Sequence, residues 1–115
     1  MGYRAHTITK RVIEYGSSAF SGVEETYILR LLRHAGADIY EDKSDKSTFW
    51  EIGKGSFVTA INNIREMSDE EFNSYYPYEE NKENGFSHKS RVAALLWMFY
   101  EESPQDDAYV YIEWF

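Results

Sequence analysis

The segment that most restricts how this chain can fold is residues 108–115, which alternates like a β-strand. Ala108, Val110, Ile112 and Trp114 form one face, and Tyr109, Tyr111, Glu113 and Phe115 form the other. Because both faces are rich in large apolar side chains, the strand needs cover on each of them. It is predicted to lie mid-sheet, with helices on one face and a partner on the other, or at an edge, where it pairs with another chain. A central strand whose outer tyrosines face water is an equally good interpretation.

The rest of the apolar pattern predicts a single α+β domain spanning residues 1–115. Strands are expected at 3–15, 37–41, 48–52 and 108–115, and residues 16–22 read as a turn. Helices are expected after the N-cap candidates Ser21, Ser56, Ser68 and Ser87. The resulting order β-α-β-β-α-α-α-β predicts a four-stranded, mainly antiparallel sheet with three to four helices packed on one face.

Composition excludes several classes of protein. The chain has no cysteine, which rules out a disulfide framework, thiol catalysis and cysteine-ligated zinc. Residues 1–10 are polar and lack the apolar core of a signal peptide, and no apolar run approaches the roughly 18 residues that a membrane span needs. These features predict a cytoplasmic domain that does not contact a membrane.

The charge is strongly acidic and unevenly distributed. The net charge is −8, and the acidic residues are densest between residues 66 and 83. We predict that this segment binds a protein with a basic surface, because a field of this sign attracts cations and repels nucleic acid. The predicted partner-binding residues are Glu66, Asp69, Glu70, Glu71, Glu79, Glu80 and Glu83, with Tyr75, Tyr76 and Tyr78 as aromatic anchors. A solvated face that aids solubility is the plainer interpretation.

These observations favour a small protein-interaction domain over an enzyme. One form of it is an inhibitor that presents carboxylates in place of phosphates to a nucleic-acid-handling protein. In size and charge the chain is similar to small anti-restriction and anti-CRISPR proteins of phage that use this device. A homo-oligomeric structural protein is another possibility, with a homodimer interface formed through residues 108–115 by Tyr109, Tyr111, Trp114 and Phe115.

Catalytic and metal motifs are not found in the sequence. His6, His34 and His88 do not have the spacing of helical metal ligands, so no metal and no cofactor are expected. A small enzyme remains an alternative only if one histidine meets a carboxylate or a serine in space. The sequence alone does not show such a pair, and no catalytic residue is predicted.

Overall fold

The computed structural model describes residues 3–10, 14–44, 46–76 and 88–115. Within these ranges the chain is α+β, with five strands, a short 3-10 helix and four α-helices. The strands are β1 (Arg4–Lys10), β2 (Glu14–Ser21), β3 (Ile39–Lys43), β4 (Thr48–Gly53) and β5 (Tyr109–Trp114). The 3-10 helix (Gly22–Glu24) leads into α1 (Glu25–His34), and α2 (Lys54–Glu66), α3 (Asp69–Tyr75) and α4 (His88–Glu102) follow. No helix in the described ranges is both long and apolar enough to cross a bilayer.

The strands form one antiparallel sheet in the order β2-β1-β5-β4-β3. β5 therefore lies in the middle of the sheet and pairs with β1 on one side and with β4 on the other. Trp114, for example, lies opposite Ala5 in β1 and opposite Thr48 in β4. Of the two positions that the sequence allowed for this strand, the central one is confirmed and the edge position is wrong.

One face of the sheet packs against the helices and forms the core. The inward side chains of β5, those of Val110, Ile112 and Trp114, are buried, which confirms the alternation predicted for this segment. The core also contains Trp50 and Ile52 of β4, Ile28, Leu31 and Leu32 of α1, Phe57, Ile61 and Ile64 of α2, and Val92, Leu96 and Phe99 of α4. Full burial of each such side chain contributes about 1.5–3 kcal/mol, and this is the main force that holds the helices on this face.

A buried carboxylate connects the helical layer at one end. Glu24 is almost fully buried and forms a two-pronged ion pair with Arg91 of α4, with N–O distances of 3.0 and 3.2 Å. The hydroxyl of Tyr76, which follows α3, donates to the same carboxylate. The backbone N–H of Ser21 donates to it as well, at 3.0 Å, so Ser21 and Glu24 form a capping box at the start of the 3-10 helix. Glu24 thus joins the end of β2, the end of α3 and the first turn of α4.

The prediction of four strands is wrong by one strand. Residues 3–15 do not form a single strand: β1 ends at Lys10, and a second strand, β2, covers Glu14–Ser21, where a turn was expected. Glycine and serine have low intrinsic β-propensity, so this stretch looks like a loop when read alone. Its strand conformation comes from pairing with β1, in which Ala19 lies opposite Ala5 and Ser18 lies opposite His6.

The expected helix starts are confirmed in part. α2 begins at Lys54, earlier than the Ser56 cap predicted, and the Ser56 hydroxyl instead donates to Gly53 O and accepts from the Asp38 N–H. Ser68 does cap α3, because its hydroxyl accepts from the backbone N–H of Glu71 at 3.1 Å. Ser87 lies outside the described residues.

Replacing Glu24 with alanine is expected to lower the free energy of unfolding by about 3 kcal/mol, because Arg91 and the Tyr76 hydroxyl lose their shared buried partner. Urea denaturation followed by tryptophan fluorescence measures this change. Glu66→Ala is the matched control, since Glu66 is exposed and its loss should change the value by less than about 0.5 kcal/mol. Equal losses in the two variants would contradict the role assigned to Glu24.

Gly22 allows the 3-10 helix to pass close to the backbone that precedes β1. A Cβ atom at Gly22 would lie 2.9 Å from the carbonyl oxygen of Tyr3 and 3.1 Å from its Cβ. We expect Gly22→Ala to lower stability by about 1–3 kcal/mol through this clash. In Gly55→Ala the new methyl meets no atom within 4 Å, and alanine favours α2, so that control should be neutral or stabilising by up to about 1 kcal/mol. Thermal unfolding compares the two variants, and a stable Gly22→Ala would refute the close approach.

Candidate functional site

The face of the sheet opposite the helices is the candidate site, and we call it the open sheet face. Side chains that point outward from four neighbouring strands meet on it. They are Arg4 and His6 from β1, Tyr109, Tyr111 and Glu113 from β5 with Phe115 after it, Phe49 and Glu51 from β4, and Tyr40 and Asp42 from β3. Each of these side chains is half-buried or exposed, whereas their inward neighbours in β1, β4 and β5 are buried.

Antiparallel register arranges these side chains in rows across the strands. One row contains His6, Glu113, Phe49 and Asp42, which are successive cross-strand partners from β1 to β3. The next row contains Tyr111, Glu51 and Tyr40. Side chains of cross-strand partners lie on the same face about 5 Å apart, so each row is a continuous strip of side chains. The open sheet face therefore presents a continuous array of side chains across four strands.

Aromatic rings pack against one another along this face. The ring of Phe49 stacks on Tyr111 at a centroid distance of 5.7 Å, and Tyr109 lies 6.2 Å from Tyr111. The imidazole of His6 stacks on Phe115 at 3.8 Å. Tyr40 and Tyr109 are nevertheless 64% and 42% exposed, and both belong to the small set of large apolar residues that remain strongly exposed in the described chain. Rings that are held in position and still accessible are typical of interaction anchors.

The charges of this face are divided between its two sides. The basic side is β1, where Arg4 is exposed and His6 lies beside it. The acidic side is formed by β5, β4 and β3, which carry Glu113, Glu51 and Asp42. Among the described residues, neither Arg4 nor Asp42 has an ion-pair partner within 4.0 Å. Both charges are thus available to a molecule that docks on the face.

Most of the interface residues predicted from β5 lie on this face, but Trp114 does not. Tyr109, Tyr111 and Phe115 point outward. Trp114 is fully buried on the core side, where its ring packs against Trp50 at 5.2 Å and against Tyr3 at 6.0 Å. The expectation that Trp114 contributes to an interface is therefore wrong, because strand alternation directs it towards the helices.

The acidic residues predicted to bind a partner lie on the helical layer and not on the open sheet face. Glu66 ends α2, and Asp69, Glu70 and Glu71 form the first turn of α3, where carboxylates also favour the helix dipole. All four are exposed. Two of them already have partners: Asp69 lies 3.5 Å from Lys89 Nζ, and Glu71 lies 2.7 Å from His34 Nε2. Tyr78, Glu79, Glu80 and Glu83 fall outside the described residues.

The two described aromatic anchors predicted beside these carboxylates, Tyr75 and Tyr76, are not exposed for binding a partner. Tyr76 is 1% exposed, and its hydroxyl is bound to Glu24 in the core, so its assignment as a partner-binding residue is wrong. The sequence missed this because the buried acceptor is 52 residues away. Tyr75 is half-buried, and its ring stacks on the imidazole of His34 at 3.9 Å. The helical surface is thus acidic but has few exposed rings.

His34 and Glu71 form the histidine–carboxylate pair that the enzyme alternative requires. They lie at one side of an open cavity of about 330 Å³ that Asn63 and Glu66 also line. Asn63 is occupied, since its amide donates to the carbonyl oxygen of Ala35 at 2.8 Å. In the described chain no group of three or more histidine and carboxylate side chains is arranged to hold a metal. The contact between His34 and Glu71 joins α3 to the last turn of α1.

Comparison of this chain with protein-family models, with curated proteins and with solved structures finds no match. The interpretation of the open sheet face therefore depends on its geometry and chemistry.

The two faces of β5 should respond differently to substitution. Trp114→Ala is expected to lower the free energy of unfolding by about 3–5 kcal/mol, because it empties a fully buried site. Tyr109→Thr keeps a strand-favouring residue at an exposed position and should cost less than about 1 kcal/mol. Denaturant titration of both variants measures the difference. A large loss for Tyr109→Thr would mean that the outward face is structural and not free for binding.

Proposed function

We propose that this chain is a protein-interaction domain that binds its partner through the open sheet face. The observation that carries the proposal is the row of aromatic side chains left accessible on a sheet face that no described helix covers. Contact of large aromatic rings with water is unfavourable in free energy. A protein that docks on the rings removes them from water and so gains this free energy on binding. Tyrosine suits this use, because it buries a large area and loses few rotamers on binding.

The charge of the face favours protein over nucleic acid as the partner. Aromatic sheet faces that bind single strands combine stacking rings with a basic groove for the phosphates. Here Arg4 is accompanied by the carboxylates of Asp42, Glu51 and Glu113. The chain as a whole carries a net charge of −8, which adds long-range repulsion of phosphates.

A second candidate function uses the acidic helical surface. Glu66 and Glu70 are exposed beside Asp69 and Glu71, and a surface of this kind attracts a basic protein groove. An inhibitor that mimics nucleic acid would act in this way on a nucleic-acid-handling protein. The open sheet face is the stronger candidate, because Asp69 is already paired with Lys89 and Glu71 is already hydrogen-bonded to His34.

Site-specific photo-crosslinking distinguishes the two surfaces. A photoreactive amino acid is introduced at Tyr40, at Glu70 or at Val23, and the purified chain is irradiated in extract of its source cells. We expect protein adducts from position 40 and none from position 23. Val23 is the matched control, because it is 66% exposed, against 64% for Tyr40, but precedes α1, away from the sheet face. Mass spectrometry identifies each adduct.

The proposal predicts that adducts at position 40 disappear when Tyr109 and Tyr111 are replaced with threonine. Adducts at position 70 without any at position 40 would contradict it and favour the acidic helical surface. Adducts at positions 40 and 23 in equal yield would indicate non-specific contact and would also contradict it.

A further inference from the structure

The two edges of the sheet, β2 and β3, are not equally accessible to a further strand. In β2 the backbone N–H and the hydroxyl of Ser17 both donate to the carboxylate of Glu102, which ends α4, at 2.7 and 2.5 Å. The register between β2 and β1 is also irregular. A capped N–H and an irregular register both oppose the addition of a strand, so β2 is a protected edge.

The hydrogen bonds between β3 and β4 show which backbone groups of β3 face the other edge. Gly53 N donates to Asp38 O at 3.3 Å, and Ser44 N donates to Ser47 O at 2.8 Å. Antiparallel strands form such bonds at every second residue, so the even-numbered residues from 38 to 44 are bonded to β4. The N–H and C=O groups of the odd-numbered residues between them therefore point away from β4, towards the edge.

Most of these edge groups are free to form new hydrogen bonds. Arg33 donates to Ile39 O at 3.4 Å. No described residue outside the β3–β4 pair forms a hydrogen bond with the backbone of Glu41 or Lys43. The N–H and C=O groups of these two residues are thus available to a further strand.

We infer that the β3 edge binds an extended segment of the partner protein as an additional strand, with lysine or arginine facing Asp42. The inference rests on the function proposed above and specifies which part of the partner docks. Backbone hydrogen bonds hold a segment of this kind, and its alternate side chains contact the surface beside it. The outward side chains of the segment extend the open sheet face and lie next to Tyr40 and Asp42, the outward residues of β3.

The charges near this edge favour a basic segment. The nearest charges on the open sheet face are the carboxylates of Asp42 on β3, Glu51 on β4 and Glu113 on β5. Asp42 is exposed and, among the described residues, has no ion-pair partner within 4.0 Å. The cation Arg4 lies on β1, four strand spacings or about 19 Å from the added strand. A cation on the segment therefore meets carboxylates first.

Lys43 and Arg33 are cations close to the edge, and both are already engaged. Lys43 Nζ lies 3.8 Å from the carboxylate of Glu41, and the guanidinium of Arg33 is bonded to Ile39 O. Neither of them pairs with Asp42. The β3 strand of a second copy carries the same carboxylates as this edge, so it matches the edge less well than a basic segment does.

Amide hydrogen exchange, followed by two-dimensional NMR, tests the inference with a short end-capped peptide in which lysine and valine alternate. In the free chain we expect fast exchange at Glu41 and Lys43, and slower exchange at Tyr40 and Asp42, whose N–H groups are bonded to β4. Saturating peptide should slow exchange at Glu41 and Lys43 at least about tenfold, because their N–H groups gain acceptors. The new backbone hydrogen bonds and the ion pair with Asp42 predict a dissociation constant on the order of 100 µM.

Glu41→Pro and Glu41→Thr separate the contribution of the backbone from that of the side chain. Both variants lose the carboxylate, but only proline removes the outward N–H, which an edge strand tolerates because β4 does not use it. We expect the proline variant to bind the peptide at least about tenfold more weakly than the threonine variant. Thermal unfolding verifies that both variants are folded.

Asp42→Asn tests the charge in a chain that keeps every backbone donor. It should weaken binding of the peptide at least about threefold, because the cation loses its nearest unpaired carboxylate. Glu101→Gln is the matched control, since Glu101 is exposed at the end of α4, beside the residue that caps β2, and this variant loses the same charge. It should leave binding of the peptide unchanged.

The inference is overturned if the two Glu41 variants bind equally, if exchange at Glu41 and Lys43 is not slowed, or if about 1 mM peptide does not bind. Equal weakening by Asp42→Asn and Glu101→Gln would also overturn it. Photo-crosslinking from position 40 separates this failure from that of the proposed function. Adducts that persist in Glu41→Pro would mean that the partner docks without adding a strand, which refutes the inference and leaves the proposed function standing. Absence of adducts in the chain that keeps Glu41 would refute the proposed function itself.

Discussion

The pairing of β5 between β1 and β4 is the constraint on which the rest of the structure depends. Arg4 and Phe115 exchange both backbone hydrogen bonds, at 3.0 and 2.9 Å, so residues from opposite ends of the described chain meet mid-sheet. A central strand is hydrogen-bonded to a neighbouring strand along each edge, so only its two faces are left to contact other parts of the protein or a partner. One face of β5 supplies Trp114 and Ile112 to the core, and the other carries Tyr109 and Tyr111 outward. Core and candidate site are therefore two sides of the same six residues.

The buried ion pair between Glu24 and Arg91 joins parts of the chain that are far apart in sequence. Isolating a carboxylate from water is unfavourable unless every lone pair finds a donor. Glu24 accepts from Arg91 of α4, from the hydroxyl of Tyr76 after α3 and from the N–H of Ser21 at the end of β2. The helices cover one side of the sheet, and none of the described elements covers the opposite side.

Local pattern predicted the parts of this fold that depend on neighbouring residues. The two faces of 108–115, the strands predicted at 37–41 and 48–52 and the Ser21 cap depend only on residues a few positions apart. The strand β2 was missed, because its glycine and serine residues take a strand conformation only through pairing with β1. Tyr76 was assigned to the surface for the same reason, since its acceptor Glu24 is remote in sequence.

The candidate site was predictable in part. The outward residues Tyr109 and Tyr111 followed from alternation alone. Phe49 and Tyr40 also lie on this face. They could be placed there only from the strand order, which depends on long-range pairing. A usable signal did exist, because both are aromatic residues at alternating positions of short predicted strands.

The central claim is that the open sheet face, and not the helical layer, is the surface through which this chain binds protein. Amide chemical shifts, recorded by two-dimensional NMR without and with the protein that crosslinks to position 40, report directly which residues gain a contact. The account predicts that the shifts of Tyr40, Phe49 and Tyr111 change when that protein is added, while those of Glu66 and Glu70 do not. Changes confined to α2 and α3, with a constant sheet face, would contradict it.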